Sequence, residues 1–134
     1  MDAVKSYKSS QMMQLNALST RPFIGAKDYA VSARFYAAMG FTVTQVGPTL
    51  SVCVNQNVVF YLQDYYDKAW IENTMLFIEI KDLDTCHRQV KALNLPGQFT
   101  GTRLSEIKEE TWGREFFLHD PAGILWHFGH FINT

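Results

Sequence analysis

Two stretches of this chain, 54 residues apart, are built to one plan: Lys27-Asp28-Tyr29 recurs as Lys81-Asp82-Leu83, and Met39-Gly40-Phe41 recurs as Leu93-Asn94-Leu95. Each copy opens on an aspartate that can accept from the free N–H groups of a first helical turn. Each closes at Gly or Asn, which tolerate the left-handed position past a helix end. Between these caps, Val31, Phe35, Ala38 and Met39 make one apolar stripe, and Leu83, Cys86, Val90 and Leu93 make the other. Two similar helices therefore occupy equivalent places in two halves of the chain.

Strand-like segments surround each helix in the same order. Residues 22–26 precede the first helix, and residues 41–46, 50–54 and 58–63 follow it, separated by Gly47-Pro48 and Asn55-Gln56-Asn57. Residues 74–80 precede the second helix, and residues 100–107, 112–119 and 124–131 follow it. The expectation is an α+β fold of two β-α-β-β-β modules, module one over 21–67 and module two over 74–132, forming a single domain after an extension at 1–20. At 134 residues and 47% hydrophobic, the chain can bury one sizeable core. One helix cannot cover both faces of a four-stranded sheet, so each module leaves a face for a ligand or a partner.

The last hairpin is the most informative local motif. In residues 112–128, Pro121 presets φ for the second turn position, Asp120 can bond the turn backbone and Gly123 relieves the exit. Its strands are rich in large aromatics, so one face can be core while the other lines something concave. This hairpin resembles the closing hairpin of the bleomycin-resistance proteins, which belong to the vicinal-oxygen-chelate group with the glyoxalases and extradiol dioxygenases. Glu72-Asn73-Thr74, Leu83-Asp84 and the lead-in Ala26-Lys27-Asp28 resemble the same pattern. The resemblance covers 21 to about 132. It implies a curved sheet around a cleft, and homodimers in which modules of two chains enclose shared clefts.

Enzymes of that group hold a divalent ion with side chains from the opening strand of each module and a Glu on the final strand. By motif those positions fall here on Arg21, on Met75 (or Thr74) and on His127. Arg and Met cannot make a hard-cation site, and one histidine will not hold the ion alone. Regular alternation puts His119 and His130 on the strand face opposite His127. The resemblance therefore implies no metal and no cofactor, and sequestration of a ligand rather than catalysis; a metal-dependent lyase or dioxygenase, or a regulatory dimer with a filled cleft, is the alternative.

The ligand-binding candidates are Trp112, His127, Met75, Phe77, Glu79, Leu50 and Phe23. In the resembled family the Trp of Trp-Gly-Arg-Glu stacks on the planar rings of a sequestered antibiotic, which implies that role for Trp112; as a residue, it can equally be a rim tryptophan packed on the dimer mate. The family's second stacking aromatic falls on Leu50. His127 can be a cleft-wall histidine satisfied by a neighbour, a ligand contact, or both. Met75, Phe77 and Glu79 share one strand face by alternation, and Glu79 is expected to pair with Arg21 or Arg114. Phe23 lies on the first-strand face of Arg21.

Composition sets the remaining bounds. A formal net charge of -1 gives no basic footprint for nucleic acid and does not match a cationic drug as the acidic bleomycin-resistance proteins do. Cys53 and Cys86 lack metal-type spacing and read as reduced thiols. No segment is apolar and long enough to span a membrane and residues 1–20 lack a signal-peptide core, so the cytoplasm is the expected location. Met12, Met13, Leu15 and Leu18 give the extension a short helix-compatible stripe. Residues 64–70 read as a solvated loop anchored by Trp70.

Overall fold

A computed structural model describes residues 4–132. Strand β1 (Phe23–Ile24) leads to helix α1 (Tyr29–Ala38), then β2 (Thr42–Gly47), β3 (Leu50–Asn55) and β4 (Val58–Gln63). A short helix α2 (Lys68–Glu72) connects to β5 (Met75–Glu79), followed by α3 (Leu83–Ala92), α4 (Leu95–Gln98), β6 (Arg103–Leu104), β7 (Lys108–Glu109), β8 (Gly113–His119) and β9 (Leu125–Phe131). The first sheet runs β1-β4-β3-β2 and the second β5-β9-β8-β6, with β7 also on β8. In both, the strand before the helix pairs in parallel with the last strand of its half, and the others are antiparallel. The repeat in sequence is thus a repeat of topology.

The capping chemistry is as the sequence implies. Asp28 accepts from the backbone N–H of Val31 at 3.2 Å, and Asp82 from that of Thr85 at 3.1 Å. Beyond the two helices, Gly40 has φ of 99° and Asn94 has φ of 51°, the left-handed turn that ends each one. Residues 64–70 are not simply a loop: Asp67 caps α2, which buries Ile71 and lays Trp70 against Gly25, where a Cβ would stand 2.6 Å from the indole. Residues 100–107 are not one strand either. At Phe117 the ladder partner is Ser105, whose Oγ accepts the Phe117 N–H at 2.8 Å while its own N–H donates to Phe117 O at 2.9 Å. A side chain standing in for a carbonyl breaks the strand into β6 and β7. Residues 4–20 form neither helix nor strand and leave Met12, Met13, Leu15 and Leu18 exposed.

One hydrophobic cluster runs through both halves. Phe35, Tyr36 and Phe41 from the first helix region meet Phe60 and Leu62 of β4, which pack on Trp126, Phe128, Phe116 and Leu118 of the second sheet. Tyr36 sits edge-on to Phe60 at 4.9 Å and to Trp126 at 5.9 Å between ring centres. At its centre is a fully buried carboxylate. Asp120 Oδ1 accepts from the N–H groups of Ala122, Gly123 and Ile124, each at 2.9 Å, and Oδ2 accepts from the Tyr36 hydroxyl at 2.6 Å. The Trp126 indole in turn donates to Tyr36 Oη at 2.9 Å. Burial raises the Asp120 carboxyl above its usual range, and the hydrogen bonds, Tyr36's first, pull it back. Burial also pushes the Cys53 thiol up to about 12, so it is an inert thiol at neutral pH.

Removing a donor from a buried charge leaves a desolvation cost uncompensated. Tyr36→Phe is expected to lower unfolding stability by about 1–3 kcal/mol at neutral pH, and Asp120→Ala by about 3–5 kcal/mol. Without its Tyr36 donor the carboxyl rises further in the folded state while the unfolded value is unchanged. The folded state then binds a proton more readily, so the Tyr36→Phe deficit should shrink as pH falls through the carboxylate range. Urea denaturation from pH 4 to 7 reads this directly, and a deficit independent of pH would assign the loss to packing alone.

Candidate functional site

Helices α1 and α3 cover only the inner faces of the two sheets, and the outer faces carry the candidate residues. On the second sheet the register pairs Met75 with Leu125, Phe77 with His127 and Glu79 with Gly129, and across the hairpin Phe117 with His127 and Glu115 with Gly129. Paired residues share a face. Met75, Phe77 and Glu79 therefore lie on one surface with His127, as alternation implied, and Met75 and Phe77 are 63% and 43% exposed.

That surface is an aromatic cluster. Phe77 is centred 5.8 Å from Trp112, 5.4 Å from Phe131 and 6.2 Å from His127, near-parallel to the last two rings. Trp112 lies 5.3 Å from Phe131, and Phe117 meets the His127 ring edge-on at 5.0 Å. Lys108 Nζ stands 5.0 Å from the centre of the Phe117 ring. Room for Phe77 comes from Gly129, where a Cβ would stand 2.3 Å from Phe77 Cζ. A glycine inside a strand marks such a close approach, and it was the available signal for this position.

His127 is held by Glu115: its Nδ1 is 2.9 Å from Glu115 Oε1, and the Glu115 side chain is nearly buried. Glu115 is a functional candidate that sequence reasoning missed. Once the Asp120 turn sets residue 119 opposite 125, counting back places 115 diagonal to 127 on the same face, so the hairpin register was the signal. The same register corrects the expectation for His119, which pairs with Leu125 and shares the face of His127. Alternation fixes faces within one strand, whereas the turn fixes them between strands. Burial lowers the His119 pKa, with Arg103 and His127 adding smaller effects in the same direction. His130 does lie on the other face, where its Nδ1 is 2.9 Å from Ile80 O.

The ion pair expected for Glu79 does not form with either arginine. Arg114 is on the helix side of β8, where it grips Asp84 through two bonds of 2.9 and 3.1 Å and Glu109 through one of 3.0 Å. Asp84 is held below its usual range by this guanidinium. Arg21 donates to the hydroxyl of Tyr61 and to Ser19 Oγ, both at 3.2 Å. Phe23 and Leu50 are on the outer face of the first sheet, apart from the other five candidates; there Phe23 packs on Tyr61 at 4.8 Å. Among the described residues, no three His, Cys, Asp or Glu side chains converge on a point that could hold a metal ion. Arg21, Met75 and His127 do not make a donor set for a divalent cation.

The arrangement of sheets matches solved structures closely. A bleomycin-binding protein complexed with bleomycin aligns with a TM-score of 0.73 at 19% identity, over 85% of this chain and 98% of the other. Its fold is that of the bleomycin-resistance proteins. A bleomycin-binding protein from Streptomyces verticillus, complexed with copper(II)-bleomycin, aligns with a TM-score of 0.71 at 22% identity, over 86% of this chain and 97% of the other. An antibiotic-binding protein from a Streptomyces species aligns at 0.68 and 16% identity, over 89% of this chain and 100% of the other. A glyoxalase/bleomycin resistance protein/dioxygenase from Nocardioides shares the fold at a TM-score of 0.67 and 16% identity. No protein-family model and no curated protein matches the sequence.

Gly129→Ala tests the packing of this face. The new methyl must push the Phe77 ring aside, and the ring is the free end of a side chain on an open surface. Stability should therefore fall by no more than about 1 kcal/mol, while Trp112 emission shifts as its neighbour leaves. Unchanged emission with a large loss of stability would mean that the backbone, not Phe77, absorbs the clash.

Proposed function

We propose that this protein binds and sequesters a planar or amphipathic small molecule, without a metal, as a cytoplasmic homodimer of the bleomycin-resistance type. The observation that carries the reading is the cluster of exposed Phe77 with half-buried Trp112, Phe131 and His127 on the outer face of the second sheet. A contiguous aromatic surface in water is costly unless something covers it, and flat rings are what it fits best. In the dimer, the partner's copy of the first sheet closes the cleft over this cluster. It brings Phe23, Tyr61 and Leu50, so the aromatic missing at Leu50 is supplied two residues along the same face, by the Phe23 and Tyr61 rings. The neighbours with bound bleomycin support a small-molecule cleft, and the near-neutral charge of this chain favours a guest less cationic than bleomycin.

Trp112 is the expected anchor. Titration with an aromatic amphiphile should change tryptophan fluorescence saturably, and Trp112→Ala should weaken binding by about 1–3 kcal/mol. Trp70 and Trp126 remain in the variant and report that the fold is intact. Equal affinity in Trp112→Ala, with the assembly unchanged, would move the residue out of the ligand site. A monomeric mass in sedimentation at micromolar concentration would count against the shared cleft.

A further inference from the structure

On the proposed cleft surface, which also carries Glu79 and His119, a hydrogen-bonded pair stands among the aromatic rings: Glu115 Oε1 and His127 Nδ1, 2.9 Å apart. An ionised carboxylate can only accept, so the neutral imidazole must carry its proton on Nδ1. That leaves Nε2 as a lone-pair acceptor. Among the described residues no group hydrogen-bonds to Nε2, and the His127 side chain, 22% exposed, does not seal it from solvent. Phe77 on one side and Phe117 at its edge fix the plane of the ring. The result is an acceptor of set direction at the edge of an aromatic floor, on a face that also carries the carboxylate of Glu79.

We infer that Glu115 and His127 form a donor-selecting subsite: the ligand is a planar aromatic molecule bearing a ring hydroxyl or N–H that donates to His127 Nε2. This inference rests on the ligand-binding reading above and adds the chemical class of the ligand. Stacking on Trp112 and Phe77 supplies affinity without choosing between flat molecules, because every ring has a face. The imidazole chooses. A guest offering only acceptors at that edge meets a lone pair, and a guest offering neither leaves Nε2 desolvated without a partner. Glu115 is a positioning residue, acting through the tautomer it imposes.

The test uses two probes of one shape, 2-naphthol and 2-methoxynaphthalene, titrated at pH 8 against the full chain, Glu115→Gln, His127→Phe and Trp112→Ala. The wild type should bind the naphthol about tenfold more tightly, the worth of one hydrogen bond to an acceptor that the bound guest desolvates. His127→Phe should abolish that preference while still binding the methoxy compound. Glu115→Gln, whose amide can accept or donate, frees the tautomer and should also level the two probes; if it does not fold, His127→Phe decides. Equal affinities in the wild type, preference for the methoxy compound, or a naphthol preference that survives His127→Phe would each overturn the inference. If those results came with both probes weakened by Trp112→Ala, the stacking cleft would stand without its selector. Binding of neither probe would overturn both.

Discussion

The buried carboxylate of Asp120 is the interaction on which the rest of this structure depends. A bare charge in an apolar core would be intolerable, but this one has four donors within 2.9 Å. Three belong to its own turn and fix how β8 and β9 run back to back. The fourth, Tyr36, comes from α1 and also receives the Trp126 indole. One residue therefore sets the register of the last hairpin and ties it to the helix of the other half. That register in turn places Glu115, Phe117 and His127 together and delivers Trp112 to the side of Phe77 and Phe131.

The layering explains why the aromatic surface is exposed at all. Each half has one long helix and one four- or five-stranded sheet, and both helices pack inward on the shared core. Among the described residues no helix covers the outer faces. On the first sheet that face is led by Phe23, Tyr61 and Leu50, on the second by Phe77, Trp112 and Phe131. Gly129 sharpens the contrast, because it lets Phe77 lie flat across the sheet where a longer side chain would have lifted it away.

Much of this was legible in the sequence because it is local. The aspartate caps, the left-handed exits at Gly40 and Asn94, the strand order and the Asp120 turn all follow from residues a few positions apart. What was not legible depends on register between strands. His119 and Glu115 were misjudged or missed because alternation was followed along β8 and not carried across the turn. Arg114 was offered beside Arg21 as a partner for Glu79, whereas its strand parity points it at Asp84. The break at Ser105 depends on a single hydroxyl replacing a carbonyl, and α2 on a single Asp67 cap, neither of which changes the periodicity of its segment.

In both sheets the strand that comes last in its half lies inside the sheet: β4 joins β1 to β3, and β9 joins β5 to β8. For a chain made from its N-terminus this imposes an order of assembly. The first sheet can close as soon as Gln63 is available. Among the described residues β5, however, pairs only with β9, whose partner residues begin some fifty positions later at Leu125. Until those residues are made, the backbone N–H and C=O groups along the β9 edge of β5 and the Tyr36 hydroxyl both wait for their partners, and such long-range closure is slow. A nascent chain halted before the last hairpin would thus present one finished half and one open strand edge. That is the state in which pairing with another unfinished copy competes with folding.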